Sequence, residues 1–279
     1  MTERSWKHLG LERSGGVVTC TLANPPTHTL TASGVTELGE LVENLEGDAS
    51  VRVVVFTGAD PDIFIRHYEV GELSASSDRA VAAAHSDANT VGSAEADAPE
   101  LHAFHQLCLR LEAMDAITVA AINGFAAGGG CEFTLACDFR LMSDSVPGYG
   151  LPETSVGILP GGGGTQRFAR LLGTARALDL ILHAKLLSAT EALESGLVHR
   201  LYPADRFAKE VEAFAADLAA RAPIALAAAK RAVQVGSRLP LEQGLALEQD
   251  CFGRTMRSKD ASAAMKAFLA GERYEWKGE

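Results

Sequence analysis

Two apolar runs near the start of the chain read as strands. Val17-Val18-Thr19-Cys20-Thr21-Leu22 is rich in β-branched residues and ends at the turn signal Asn24-Pro25-Pro26. The run from Val51 to Thr57, VRVVVFT, is almost continuously apolar and stops at Gly58, as expected of a strand buried on both faces. Between them, Val35, Leu38, Leu41, Val42 and Leu45 recur at helical spacing, which predicts a helix over 33–47 and a right-handed βαβ unit. The alternation continues with an amphipathic helix over 101–114 and a third buried strand at Ile117–Ile122. A Gly-rich turn then leads to a small-residue helix from about Gly129 to Cys137 and a fourth strand at Phe139–Met142. Strands alternating with helices predict an α/β fold built on a mainly parallel sheet.

After Leu201-Tyr202-Pro203 the pattern changes. Residues 204–235 and 241–270 carry almost no strand signal and read as consecutive amphipathic helices. The expected division is therefore an α/β core with the candidate site, residues 1–203, and a helical part, 204–279, that packs on a neighbour. The segment Gly71–Pro99 is dominated by Ala, Ser, Asp and Glu. It reads as a surface loop or, more sharply, as an active-site lid.

Composition narrows the class of partner. At 279 residues, 47% hydrophobic and 22% charged, the chain is an ordinary folded protein. Its net charge of −11 argues against nucleic acid or an anionic membrane. The five cysteines are scattered without a C-x-x-C pair, so reduced thiols are expected. MTERSWKHLG lacks a signal peptide's apolar run, and no stretch reaches the roughly 18 apolar residues of a membrane helix. A cytoplasmic protein is the expectation.

The candidate chemistry lies in two glycine-rich segments. In Ile122-Asn123-Gly124-Phe125-Ala126-Ala127-Gly128-Gly129-Gly130-Cys131-Glu132, a buried strand runs through glycines into a helix, exposing backbone N–H groups at its start. A phosphate cradle fits poorly, because neither P-loop nor dinucleotide-binding spacing is present. An oxyanion site gains from Glu132 in the first helical turn, although a carboxylate there also simply complements the helix dipole. The second segment is Gly150-Leu151-Pro152-Glu153-Thr154-Ser155-Val156-Gly157-Ile158-Leu159-Pro160, followed by four glycines and Thr165-Gln166-Arg167. Glu153, flanked by proline and apolar residues, is expected to have a raised pKa suited to acid/base work. His102 and His105 share a helical face but lack an evident third metal ligand, and Cys131 reads as a small packed residue.

AAINGFAAGGGCEFTLACDFRLMSD and YGLPETSVGILPGGGGTQRFARLLG resemble the two signature stretches of the crotonase superfamily, the enoyl-CoA hydratase/isomerase family. The likeness continues through LLSATEALESGLVHRLYP and leaves residues 70–100 outside. It implies a spiral of ββα units forming two sheets, which modifies the single-sheet picture. It also implies a C-terminal helical region that builds a homotrimer or a dimer of trimers. The implied ligand is an acyl-CoA thioester, with coenzyme A entering as part of the substrate and no permanently bound cofactor. Two backbone N–H groups would hold the thioester oxygen, at Gly129 and at Tyr68 in Phe64-Ile65-Arg66-His67-Tyr68-Glu69-Val70, and Glu132 and Glu153 would be the paired catalytic carboxylates. Gly128, Gly129, Tyr68 and Arg66 would contact the CoA thioester, the Arg66 carbonyl lying where the adenine is read.

Two departures stand out. Arg66-His67 replaces a small pair, and Pro25–Leu30 offers His28 where many relatives carry a Lys or Arg. Two glutamates favour hydration of a 2-enoyl-CoA. Enoyl-CoA isomerisation, C–C bond hydrolysis of a β-diketone with His67 assisting, and a non-catalytic binding or scaffolding role are the alternatives.

Overall fold

The structure is a computed structural model that describes residues 6–86 and 100–279. In chain order, β1 (Leu9–Ser14), β2 (Val17–Leu22), α1 (Ala32–Glu46), β3 (Val53–Gly58), β4 (Ile63–Ile65) and α2 (Val70–Ser86) form the first part. There follow α3 (Ala103–Ala113), β5 (Ile117–Ile122), β6 (Phe125–Ala127), α4 (Gly129–Leu135), β7 (Phe139–Ser143) and β8 (Tyr149–Gly150). A 3₁₀ turn (Glu153–Val156), α5 (Gly164–Leu172), α6 (Thr174–Leu182), β9 (Leu186–Leu187), α7 (Ala189–Glu194) and β10 (Arg200–Tyr202) come next. The last elements are α8 (Phe207–Ala219), α9 (Pro223–Gly236), α10 (Leu241–Met256) and α11 (Lys259–Ala270).

The strands form two sheets. One has the order β1-β2-β3-β5-β7-β10 and the other β4-β6-β8-β9. The pairs β2–β3, β3–β5, β5–β7 and β7–β10 are parallel, whereas β1 joins β2 antiparallel and β9 joins β8 antiparallel. Each pass of the chain therefore leaves one long strand in the first sheet and a short one in the second: β3 then β4, β5 then β6, β7 then β8. This is the spiral of ββα units, and the expected parallel β2-α1-β3 unit is its first turn.

The long strands are apolar on both sides because both faces of the large sheet are covered. Val54, Phe56, Ala120 and Ile122 face a core shared with α1, α3 and α4, while Val53, Val55, Ile117 and Val119 face Phe207, Val211 and Ala215 of α8. The corners between sheets are held by Asn123, whose side-chain oxygen accepts the Gly58 N–H (2.8 Å) and whose amide donates to the Asp60 carbonyl (2.7 Å). Such satisfied polar groups are what a buried chain reversal requires.

In the helical part, α9 is tied to the core through Lys230, which pairs with Asp138 at 2.8 Å, both side chains under 10% exposed. The C-terminal tail is fixed by buried Asp260, which accepts from the Tyr274 hydroxyl and from the N–H groups of Lys277 and Gly278. Arg52 reaches the same tail at the Trp276 carbonyl (2.7 Å). All five cysteines are buried and free.

The segment read as a loop or lid is corrected here: α2 is a 17-residue helix beginning at Val70. Its five alanines and lack of glycine beyond Gly71 supply helix propensity without a large apolar face. The remainder of that segment, 87–99, lies outside the described residues. The helices expected over 33–47, 101–114 and 129–137 lie within one to three residues of α1, α3 and α4. The stretches 204–235 and 241–270 each hold two helices, and α6 and α7 were not among the expected elements.

Candidate active site

Tyr68 is positioned by a short ladder. Arg66 N–H donates to the His28 carbonyl, Leu30 N–H to His67, and Glu69 N–H to Leu30, all at 2.8–2.9 Å. Alternation along an extended chain then turns the Tyr68 N–H to the opposite side. There it meets Gly129: a Cβ built on Gly129 would lie 3.2 Å from the Tyr68 nitrogen. Gly128, at φ +51° and ψ −126°, makes the reversal that starts α4, and its N–H is taken by the Gly150 carbonyl at 2.9 Å. That backbone conformation favours glycine. Among the described residues, neither the Tyr68 nor the Gly129 N–H donates to a protein acceptor.

Glu132 is fourth in α4 and 3% exposed. One carboxylate oxygen, Oε1, accepts from Gly162 N–H at 2.7 Å and from Gly164 N–H at 2.8 Å. This contact explains two of the four consecutive glycines. A Cβ on Gly162 would fall 2.4 Å from Glu132 Oε2, and one on Gly164 2.9 Å from Oε1. Burial pushes the Glu132 pKa up, against the lowering effect of the two N–H bonds.

Glu153 opens the 3₁₀ turn and is half-buried. Its Oε2 is buried and has no hydrogen-bond partner among the described residues. Burial first, and the neighbouring Glu132 charge second, push its pKa up to about 7. Its Oε1 stands 3.1 Å from where a Cβ on Gly128 would be. Tyr68, Gly129, Glu132 and Glu153 thus stand around one place.

They do so in a cavity of about 960 Å³ lined by Tyr68, Gly128, Gly129, Glu132 and Glu153. Leu73 of α2, with Ile158 and Leu159, supplies apolar wall, so the helix that replaces the expected loop does border the site. His67 lines the cavity as well, its Nδ1 donating to the Tyr68 carbonyl at 2.7 Å. Arg66 is exposed and stands outside the lining residues, and its carbonyl accepts the Ala127 N–H at 3.3 Å. His28 is turned toward Asp60, with Nε2 3.6 Å from the carboxylate.

His102 and His105 stack with ring centroids 3.8 Å apart, and His102 Nε2 donates to the Gly161 carbonyl at 3.1 Å. No cluster of three metal-binding side chains occurs among the described residues. Asn123, Gly162 and Gly164 were not legible as a set. The glycine run was the available signal, but nothing local says that its N–H groups reach a carboxylate about thirty residues earlier.

Comparison with known proteins completes the picture. A family model described as enoyl-CoA hydratase/isomerase matches residues 12–279. The short-chain-enoyl-CoA hydratase of Clostridium acetobutylicum is 31% identical over 266 residues, 95% of each chain. The 2,3-dehydroadipyl-CoA hydratase of Escherichia coli is 32% identical over 245 residues, 86% of this chain and 88% of that one. The crystal structure of an enoyl-CoA hydratase from Bacillus anthracis has a TM-score of 0.86 at 30% identity, covering 98% of this chain and all of that one. In sequence across nearly its whole length, and in fold with it, this chain belongs to the enoyl-CoA hydratase/isomerase family.

Proposed function

We propose that the protein is an enoyl-CoA hydratase-like lyase that adds water across a 2-enoyl-CoA thioester, or removes it. One observation carries the reading: a buried and a half-buried carboxylate, both with raised proton affinity, share a cavity with two backbone N–H groups that have no protein acceptor among the described residues. The thioester oxygen lies between Tyr68 N–H and Gly129 N–H, which take up the charge as the enolate develops. Glu132 is the better home for an anion, because Gly162 and Gly164 donate to it. Glu153, with an orphaned oxygen, is the better home for a proton.

In the hydration direction, water attacks the β-carbon and gives a proton to Glu132. Glu153 gives its proton to the α-carbon as the enolate collapses. The pair ends with the proton moved from one carboxyl to the other and resets by exchange. Tyr68, Gly128 and Gly129 contact the thioester end of the CoA ester, which is substrate rather than resident cofactor, and Arg66, exposed outside the cavity lining, is placed to meet only the part of CoA that extends beyond it. Leu241, Phe252, Phe268 and Leu269, each more than 60% exposed on α10 and α11, support self-association into a homotrimer or dimer of trimers. The helical part 204–279 is on this reading the oligomerisation region, and a monomer by sedimentation overturns it. Among the described residues no helix is long and apolar enough to cross a membrane. A cytoplasmic location and a role in fatty acid metabolism accord with this reading.

His67 at the cavity wall is what favours a second reading, C–C hydrolysis of a β-diketone, but its Nδ1 is engaged by Tyr68 and both glutamates remain. Glu132→Gln and Glu153→Gln should each lower turnover of a 2-enoyl-CoA at least about 10²-fold, with binding changed far less. Product analysis separates the outcomes: a 3-hydroxyacyl-CoA supports hydration, a 3-enoyl-CoA isomerisation. Near-normal turnover in both variants sinks the two-carboxylate mechanism.

A further inference from the structure

The carboxylate of Glu132 is only as well placed as the turn that holds it. Both of its backbone donors belong to residues 161–164, four glycines with no side chain to wedge them, and Gly163 sits at φ +102°. Such a segment is the softest backbone a protein can make. Something outside the turn has to fix it.

Three successive peptide units are each held at the carbonyl. The Gly161 carbonyl accepts from His102 Nε2 at 3.1 Å, and the N–H on the other side of that planar peptide is the Gly162 N–H that binds Glu132. The Gly162 carbonyl accepts from Arg167 Nη1 at 3.3 Å. The Gly163 carbonyl accepts the Arg167 backbone N–H at 2.9 Å, the opening bond of α5 and independent of the side chain, and its peptide supplies the Gly164 N–H that also binds Glu132. Arg167 is itself immobilised: its Nε donates to Glu112 Oε1 at 2.7 Å, with the two side chains 13% and 11% exposed. The other oxygen of Glu112 takes Arg238 at 2.9 Å.

We propose that Arg167, assisted by His102, is a positioning residue for Glu132, clamping the Gly161–Gly164 turn so that its two N–H groups hold the carboxylate in its reactive place. A buried charge-assisted pair with a planar guanidinium is suited to that task, because it fixes direction as well as distance. Arg167 also favours the ionised form of Glu132 through its charge, as does His102. The inference rests on Glu132 being a catalytic carboxylate.

The test uses the full-length protein and a 2-enoyl-CoA substrate. Arg167→Met is expected to fold, because Glu112 keeps Arg238. It should lower kcat about 10- to 10²-fold with KM nearly unchanged, the effect of a sub-ångström displacement of a reacting group. It should also move the low-pH limb of the kcat profile to higher pH, and Arg167→Lys should restore part of the loss. Arg238→Met breaks the other side of the same Glu112 without touching the turn, and it should keep kcat near wild type. His102→Phe preserves the ring stack but removes the donor, and should show a smaller kcat loss of the same kind. Equal kcat for Arg167→Met and Arg238→Met, or a loss confined to KM, overturns the clamp. Glu132→Gln run alongside separates the two levels: if it stays active, the reading of Glu132 itself is wrong.

Discussion

Glu132 and Glu153 share a cavity and are held in opposite ways. Glu132 grows from a helix, is 3% exposed, and has one oxygen saturated by two backbone donors. Glu153 grows from a 3₁₀ turn, is less deeply buried, and keeps an oxygen with no protein partner. Burial raises the proton affinity of both. The difference lies in what the protein offers the charged state: two fixed donors from another turn in one case, and no more than its own backbone N–H in the other. On the proposed mechanism the same residue type then serves as base at one end of the cavity and as acid at the other.

The sharpest way to break this contrast is to spoil the donors and leave both carboxylates in place. Gly162→Ala puts a methyl where Glu132 Oε2 and the Phe104 ring already stand, each 2.4 Å from it. Turnover should fall on the order of 10²-fold as the carboxylate is displaced, at a stability cost of about 1–3 kcal/mol for overpacking. Steady-state kinetics beside a thermal melt would show whether rate is lost well beyond stability. A Gly162→Ala enzyme with normal kcat would mean that the N–H cradle is irrelevant.

A smaller effect should appear in the pH dependence. Glu153 has its pKa raised to about 7, so it carries its proton below that pH and loses it above. An acid that must donate in the hydration direction then makes kcat fall, by up to about tenfold per pH unit, as pH rises through about 7. Dehydration, which needs Glu153 ionised, should show the opposite limb. The limb belongs to the coupled pair. A hydration rate flat from pH 6 to 8 would remove Glu153 from the donor role.

How much of this could be read from the chain depends on how local each signal is. Val17–Leu22 and Ile117–Ile122 declare themselves by composition, and α1 by its spacing, because burial there is decided within the element. The strands β4, β6, β8 and β9 are two or three residues long and exist through pairing with distant partners, so no periodicity marks them. Strand β1 was missed for another reason: LGLERS is a largely exposed edge strand, with Leu9 alone of its residues buried. At the site, Glu132 and Glu153 were legible as candidates beside glycine and proline, and the raised Glu153 pKa followed from its apolar flanks. The bonds from Gly162 and Gly164 to Glu132 span 30 and 32 residues and become visible once α4 and α5 are brought together.

The Asn123 staple has a consequence for time rather than for geometry. Its bonds to Gly58 and Asp60 close loops of more than sixty residues, and the backbone it secures leads to Tyr68 on one side and Gly129 on the other. Helices such as α1 need no such closure, and loop-closure entropy is spent before a distant contact returns anything. The approach of Tyr68 to Gly129 is a distant contact of the same kind, so forming it carries a loop-closure cost that α1 does not.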